Sequence, residues 1–207
     1  LYLREETLDS ARMQYEYLVE EMDINDLDIV WKLAQLHQKT NNYQKALNYY
    51  DKIEGRIGIN ERISQLKKRI YAKIGEKEKA YNEIRKLINK YPGESRYYGM
   101  LAELYATFKE YEKAEKMYDK LFEVDSTNEL GHMSMVKYYR KKGQMEKALD
   151  TYKNKVLPNK SIAFRDKMLL FMDFLQQSGE PSQYAGQFEH TLNKFHEHYP
   201  DKREVDA

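Results

Sequence analysis

Apolar residues recur along most of the chain at intervals of three and four, which is the spacing of one face of an α-helix. In the stretch 96–124 this pattern forms two stripes, which are separated by the polar residues Lys109 and Glu110. The first stripe contains Tyr98, Leu101, Ala102 and Tyr105, and the second contains Ala114, Met117, Tyr118 and Leu121. The stretch therefore predicts two amphipathic helices joined by a short turn.

This helix pair repeats with a period of 34 residues. One column of the repeat is alanine, at Ala46, Ala80, Ala114 and Ala148. Two further columns keep the same period: one contains His37, Tyr71, Tyr105 and Tyr139, and the other contains Tyr50, Ile84, Tyr118 and Tyr152. A repeat of this length is one pair of stacked helices, so the columns predict four tandem pairs over residues 27–160. Gly75 and Gly143 follow the first helix of their copies, where a left-handed cap favours glycine.

These positions resemble the tetratricopeptide repeat. The third copy fills nearly every position of that family's pattern, with Tyr98, Leu101, Ala102, Tyr105, Tyr111, Ala114, Tyr118 and Leu121. The resemblance implies an all-α fold, a right-handed α-solenoid (superhelix) of helix-turn-helix repeats in which the first helices line a concave face. The second copy departs from the pattern at Lys67 and Lys68, where the family has a large apolar residue and then a small one.

The ends of the chain predict incomplete repeats. Residues 1–26 are expected to hold the second helix of a preceding, partial repeat, residues 161–200 a degenerate fifth repeat acting as a C-terminal cap, and residues 201–207 a polar tail. The fifth repeat keeps the period when two residues are inserted, so that Gly179 matches Gly143. Its last helix has a single apolar stripe, as the end of a repeat stack requires.

The composition narrows the possible functions. The chain has 35 lysines and arginines against 34 aspartates and glutamates, so its formal net charge is +1 and any electrostatic preference must be local. It contains no cysteine, which excludes disulfides and thiolate chemistry. The longest apolar block, 168–172, is too short to insert into a membrane. The first residues do not have the order of a signal peptide, and the compartment stays open between the cytoplasm and, after loss of an upstream export signal, a bacterial envelope or periplasm.

No pattern of catalytic or ligand-binding residues is found along the chain. A glycine-rich phosphate loop, a zinc-binding histidine pair and a nucleophile elbow are all missing from the sequence. His196 and His198 are two residues apart, so they point in nearly opposite directions on a helix and cannot share a metal ion. The sequence therefore predicts a protein that is not an enzyme, with no cofactor and no metal.

The predicted binding feature is a basic groove. In the family geometry, the concave side of the four first helices carries eight basic residues against two acidic ones, Asp28 and Glu103. The predicted partner-binding residues are Trp31, Arg62, Arg69, Lys73, Arg96, Lys137, Arg140 and Lys141. Trp31 is interpreted either as an exposed apolar contact or as a shifted core ring. We expect a non-enzymatic scaffold or adaptor whose groove binds an acidic segment of a protein or peptide partner. The competing interpretation is that the charged face serves solubility alone.

Two alternatives remain at this stage. The segment is also compatible with the recognition arm of a larger protein whose catalytic domain lies outside it. An RNA-binding helical array is disfavoured, because the related RNA-reading repeat typically has 35 residues, whereas this repeat keeps 34 and the packing alanine. The lysine and asparagine set of the carboxylate clamp, which holds chaperone C-terminal tails, is not present either.

Overall fold

The computed structural model describes the backbone of residues 2–177 and 181–199, and the side chains of residues 7–174 and 184–199. These residues form eleven α-helices and no strand. The helices are α1 (Tyr2–Glu16), α2 (Leu27–Lys39), α3 (Tyr43–Ile57), α4 (Glu61–Lys73), α5 (Lys77–Lys90), α6 (Ser95–Thr107), α7 (Tyr111–Val124), α8 (Glu129–Lys141), α9 (Met145–Thr151), α10 (Phe164–Gln177) and α11 (Pro181–His198). Short π-helical turns, Tyr17–Glu21 and Tyr152–Val156, continue α1 and α9. The predicted all-α fold is confirmed, whereas Gly179 and the tail 201–207 lie outside the described residues.

The 34-residue period also determines where the helices begin. Asp26 caps α2 by accepting hydrogen bonds from the backbone N–H groups of residues 28 and 29. Asn60 caps α4 in the same way, and Asn128 accepts a hydrogen bond from the Gly131 N–H at the start of α8. Such side chains satisfy N–H groups that have no partner within the helix. The capping residues lie on one column of the repeat, so local chemistry sets the helix starts.

A second column determines where the first helices end. The residues at this position have positive φ angles of 60° at Asn41, 82° at Gly75, 62° at Lys109 and 76° at Gly143. The left-handed caps predicted at Gly75 and Gly143 are thereby confirmed. Asn41 and Lys109 take the same conformation, which a side chain disfavours. The turn is therefore imposed by the packing of the helix pair and does not depend on glycine.

The chain forms two compact units, 1–94 and 95–207, which we call unit 1 and unit 2. In each unit the repeat alanines are fully buried between helices. The core of unit 1 around α2 and α3 consists of Val19, Val30, Leu33, Ala34, Ala46, Leu47, Tyr49, Tyr50, Ile53, Ile63 and Ile70. In unit 2, Phe188 and Phe195 of α11 are buried against α10, while Tyr184, Leu192 and Tyr199 cover the same core at its edge. The single apolar stripe predicted for the last helix therefore packs as expected.

The departure from the family pattern at Lys67 is explained by a buried ion-pair cluster. Lys67 is 2% exposed, and its Nζ lies 2.5 Å from Asp51 Oδ1, 2.8 Å from Glu54 Oε2 and 3.0 Å from Glu83 Oε1. Lys86 Nζ also contacts Glu54 and Glu83, at 3.1 and 3.0 Å. Burial alone would lower the pKa of Lys67, but the hydrogen bonds to the three carboxylates outweigh burial and raise it, so the ammonium stays charged. Charged groups from α3, α4 and α5 thus replace the apolar contact of the other repeats.

A second polar cluster holds α1 and its π-helical turn against α2 and α3. Glu16 accepts hydrogen bonds from Lys45 Nζ at 2.7 Å and from Arg12 Nη1 at 2.8 Å. The fully buried His37 stacks on Tyr49 with 5.4 Å between ring centroids, and the Tyr49 hydroxyl donates to Glu20 Oε1 at 2.5 Å. His37 Nε2 lies 3.2 Å from Glu16 Oε1, within ion-pair distance, but the two atoms are not aligned for a hydrogen bond. A neutral imidazole therefore lies beside a carboxylate that two cations already occupy.

We expect unit 1 to lose stability as the pH falls through 6.5, the ordinary pKa of histidine. Burial lowers the pKa of His37, and the attraction of Glu16 does not compensate for it. The folded chain then binds fewer protons at His37 than the unfolded chain, so protonation favours unfolding. Trp31 is the single tryptophan of the chain and lies in unit 1. Its fluorescence during urea denaturation, on either side of this pH, measures the effect.

The control is His37→Tyr, because tyrosine occupies the same column in the other three repeats. The pH dependence of stability is the quantity compared between the two proteins, since the larger ring can change the absolute value. His132, whose pKa burial also lowers, lies in unit 2 and is present in both proteins. An identical pH dependence in the wild type and His37→Tyr would show that the pKa of His37 is the same in the folded and unfolded chain, which would contradict this prediction.

Candidate functional site

The predicted site residues of unit 1 lie on one side of α2 and α4, which we call the first-helix face of unit 1. Arg62, Arg69 and Lys73 are exposed and follow one another at intervals of seven and four along α4. Ile63 and Ile70, on the opposite side of the same helix, are buried in the core. The amphipathic pattern of α4 therefore places three of the predicted cations on one surface.

Trp31 joins this face to the core. Its half-buried ring contacts Tyr50 edge-on, with 5.9 Å between the ring centroids, and the guanidinium of Arg62 lies 4.4 Å above it. Tyr50 is fully buried, and burial raises its pKa to about 12, although the nearby charge of Arg62 opposes this shift. The two interpretations of Trp31 are thus combined, because its ring packs on the core residue Tyr50 and also contacts the exposed Arg62.

The cations of the first-helix face in unit 1 have no carboxylate within ion-pair distance in the described part of the chain. Lys73 Nζ instead lies 3.5 Å from the side-chain oxygen of Asn41 and 5.0 Å from the Tyr43 ring centroid. Arg62 stacks on Trp31, and Arg69 is exposed to solvent. Their charges are therefore available to an anionic ligand.

Unit 2 has a corresponding first-helix face on α6, α8 and α10. A pocket of about 250 Å³ lies between α6 and α8, and we call it the polar pocket. It is lined by Glu103, Ala106, Thr107, Tyr118, Ser134, Lys137, Tyr138 and Lys141. Ser134 donates a hydrogen bond to Glu103 Oε1 at 2.5 Å, so the acid that lines the pocket is already engaged. Lys137 and Lys141 are exposed one helical turn apart, and no described carboxylate pairs with either.

Two of the predicted site residues are occupied within unit 2. Arg96 donates to its neighbour Tyr97 at 3.0 Å, and its guanidinium lies 4.8 Å from that ring centroid. Arg140 forms an ion pair with the side chain of Asp173 and donates to its carbonyl oxygen at 3.2 Å. Its side chain is only 8% exposed and also covers the Phe174 ring. Of the seven predicted cations, Arg140 is thus ion-paired and Arg96 is held by Tyr97, whereas the described residues place no carboxylate within ion-pair distance of the other five.

Sequence reasoning missed α10 as part of this surface. Asp173 follows Lys137 by 36 residues, which is one repeat plus the two inserted residues, so it occupies the same column on α10. A second pocket, of about 260 Å³, lies between α8 and α10. We call it the apolar pocket, and it is lined by Met133, Lys137, Asp166, Leu169, Leu170 and Asp173. Extending the repeat positions to the fifth repeat, with its two inserted residues, would have identified Asp166, Leu169 and Asp173 as part of this surface.

Further chemistry is limited in the described residues. No group of three or more histidines, aspartates or glutamates in 7–174 and 184–199 could hold a metal ion. None of the described helices is long and apolar enough to cross a membrane. The surface that stands out chemically is therefore the set of open cations on the first-helix faces.

Comparison with known proteins identifies the class. The family model of the tetratricopeptide repeat matches residues 27–55 and 95–128, so the chain carries tetratricopeptide repeats in these two stretches. A tetratricopeptide repeat protein from Parabacteroides merdae aligns with a TM-score of 0.58 and 16% identity, over 99% of this chain and 92% of that one. A thermophilic repeat protein from Thermus thermophilus aligns with a TM-score of 0.56 and 17% identity, over 82% and 91% of the two chains. MamA from Desulfovibrio magneticus aligns with a TM-score of 0.53 and 18% identity, over 83% of this chain and 89% of that one.

These similarities establish the predicted fold class, an α-solenoid of tetratricopeptide helix-turn-helix repeats. At such low identity they carry the fold and no particular activity. No curated protein matches this sequence significantly. The repeat is typically a non-catalytic interaction scaffold, so the family supports protein binding as the general role of the chain.

Proposed function

We propose that this chain is a non-enzymatic scaffold that binds acidic segments of partner proteins on its first-helix faces. The proposal rests on five cations that have no carboxylate partner among the described residues: Arg62, Arg69, Lys73, Lys137 and Lys141. They stand on the helices that line the ligand groove in this family, and the described residues place no carboxylate within ion-pair distance of them. An anionic ligand could therefore approach them without displacing an internal acid.

The energetics favour a transient complex. An exposed ion pair contributes about 0–1 kcal/mol and is screened by salt. Several such contacts must act together, and their sum has to exceed the cost of ordering the bound segment. Trp31 supplies an additional apolar contact in unit 1, because an acid that draws Arg62 away from the indole uncovers the ring. The complex should accordingly weaken as the salt concentration rises.

The test uses a charge reversal on each face, Arg69→Glu together with Lys137→Glu. We expect this double variant to bind a fluorescein-labelled polyglutamate peptide about threefold to fivefold more weakly at low salt, since the reversal on each face replaces an attraction of roughly 0.3–0.5 kcal/mol by a similar repulsion. Fluorescence anisotropy measures the affinity, and circular dichroism checks that the variant is folded. Arg140 is not reversed, because a glutamate there would face Asp173.

A matched control reverses the same number of charges on the second helices, with Lys52→Glu and Lys116→Glu. Both lysines are exposed on α3 and α7, away from the first-helix faces. This control should bind polyglutamate nearly as well as the wild type. Equal losses in the two double variants would mean that only net charge matters and would refute the proposal. Tighter binding of a labelled single-stranded RNA than of polyglutamate would favour the nucleic-acid alternative instead.

A further inference from the structure

Two pockets lie side by side on the first-helix face of unit 2, and Lys137 lines both of them. The polar pocket extends from Lys137 toward α6, and the apolar pocket extends from Lys137 toward α10. Ser134 and Met133, which are neighbours in the chain, line the polar and the apolar pocket respectively. A ligand that reaches Lys137 is therefore adjacent to two environments of different chemistry.

Apolar side chains that remain exposed to solvent lie in and beside the apolar pocket. Leu169 is 57% exposed and lines the pocket together with the partly buried Met133. Leu130, one turn before Met133 on the same side of α8, is 73% exposed. Exposed apolar groups that gather on one face, next to polar ones, are typical of an interaction surface. The adaptable side chain of methionine suits such a pocket, since it can repack around different ligands.

The charges around the two pockets are asymmetric. Asp173 at the apolar pocket is paired with Arg140, and Glu103 in the polar pocket accepts a hydrogen bond from Ser134. Lys137 and Lys141, in contrast, have no carboxylate partner among the described residues. Asp166 stands in the first turn of α10 and is exposed to solvent. The positive charges without a partner are therefore those of Lys137 and Lys141, and they favour an acidic ligand group at this position.

We propose that the segment bound by unit 2 is extended and carries an acidic residue for Lys137 and Lys141 together with a bulky apolar residue for the apolar pocket. This inference rests on the proposed function and names the partner's chemistry at that surface. Packed helix axes are separated by about 8–10 Å. An extended chain of the polyproline II type advances about 3.1 Å per residue and returns to the same side at every third residue. The two ligand residues are therefore about three positions apart, which lets both side chains reach the adjacent pockets.

The experiment compares three labelled peptides of equal length in a glycine and serine background. The first has aspartate and leucine three positions apart, the second replaces the leucine by serine, and the third replaces the aspartate by lysine. Binding to the full chain is measured by fluorescence anisotropy. We expect the serine peptide to bind about fivefold to tenfold more weakly than the leucine peptide, since partial burial of one leucine accounts for such a factor. The lysine peptide should bind least.

The variant Leu169→Gln tests the pocket itself. It should remove the advantage of leucine over serine while the preference for aspartate remains. Met172→Gln is the matched control, because Met172 is 44% exposed on the same helix and does not line the pocket. Equal affinity of the leucine and serine peptides for the wild type would overturn this inference and leave the proposed function standing. Loss of the preference for aspartate over lysine would overturn both.

Discussion

Replacing Lys67 by leucine should lower the free energy of unfolding of unit 1 by about 3 kcal/mol, although leucine occupies this column at Leu33 and Leu101. The loss comes from the acids that remain. Glu54 and Glu83 are only 14% and 5% exposed, and without Lys67 their remaining cation is Lys86, which is one-third exposed. Two buried carboxylates that share one partly exposed cation are poorly hydrated and only partly neutralised, which destabilises the folded state. Urea denaturation monitored by Trp31 fluorescence measures the change.

A second variant separates charge from packing in this cluster. Methionine occupies the column of Glu83 at Met117, so Lys67→Leu combined with Glu83→Met approaches the family pattern. This pair should recover most of the lost stability, because apolar replacements of a whole buried ion pair are often neutral or stabilising. If Lys67→Leu alone were as stable as the wild type, the ion-pair cluster would contribute nothing to unit 1.

Truncating Leu121 to alanine should destabilise unit 2 by about 3 kcal/mol. Leu121 of α7 is 1% exposed, and its methyl groups enter the space beside two glycines of neighbouring helices. A Cβ at Gly99 of α6 would lie 2.9 Å from one Cδ of Leu121, and a Cβ at Gly131 of α8 would lie 2.6 Å from the other. The leucine thus fills the gap that both glycines leave, and its removal opens a cavity between three helices. Hydrogen exchange of α6–α8 amides measures the loss.

The coupling between Leu121 and Gly99 provides the control. In the wild type, Gly99→Ala gains helix propensity of about 1 kcal/mol but crowds Leu121, so the two effects should nearly cancel. In the Leu121→Ala background the crowding is gone, and the same change should recover about 1 kcal/mol. An equal effect of Gly99→Ala in both backgrounds would show that the leucine does not occupy this gap. Gly131 is less suitable, because its Cβ would also approach the Asn128 cap.

The proposed binding surface shows which of its features can be predicted from the positions of the repeat. Counting positions on the first helices correctly identified exposed cations such as Arg69 and Lys141, because their side depends only on the helical period. The same count treated Arg140 as equally available, whereas Asp173 engages it from the next first helix, 33 residues further on. Which surface charges remain open depends on side chains that approach from other repeats. The pattern within one helix does not contain that information.

The sequence by itself determined the helices and their register in this protein. The helix boundaries depend on local features that recur every 34 residues: caps such as Asn60, left-handed turns such as Gly75 and packing alanines such as Ala114. Because each of these acts on nearby residues, the period of the sequence is also the period of the helices. Only the tertiary structure decided that Lys67 would be buried and that Trp31 would lie beneath Arg62. Those outcomes depend on carboxylates and rings brought from other helices, and the desolvation of a charge is determined by everything packed around it.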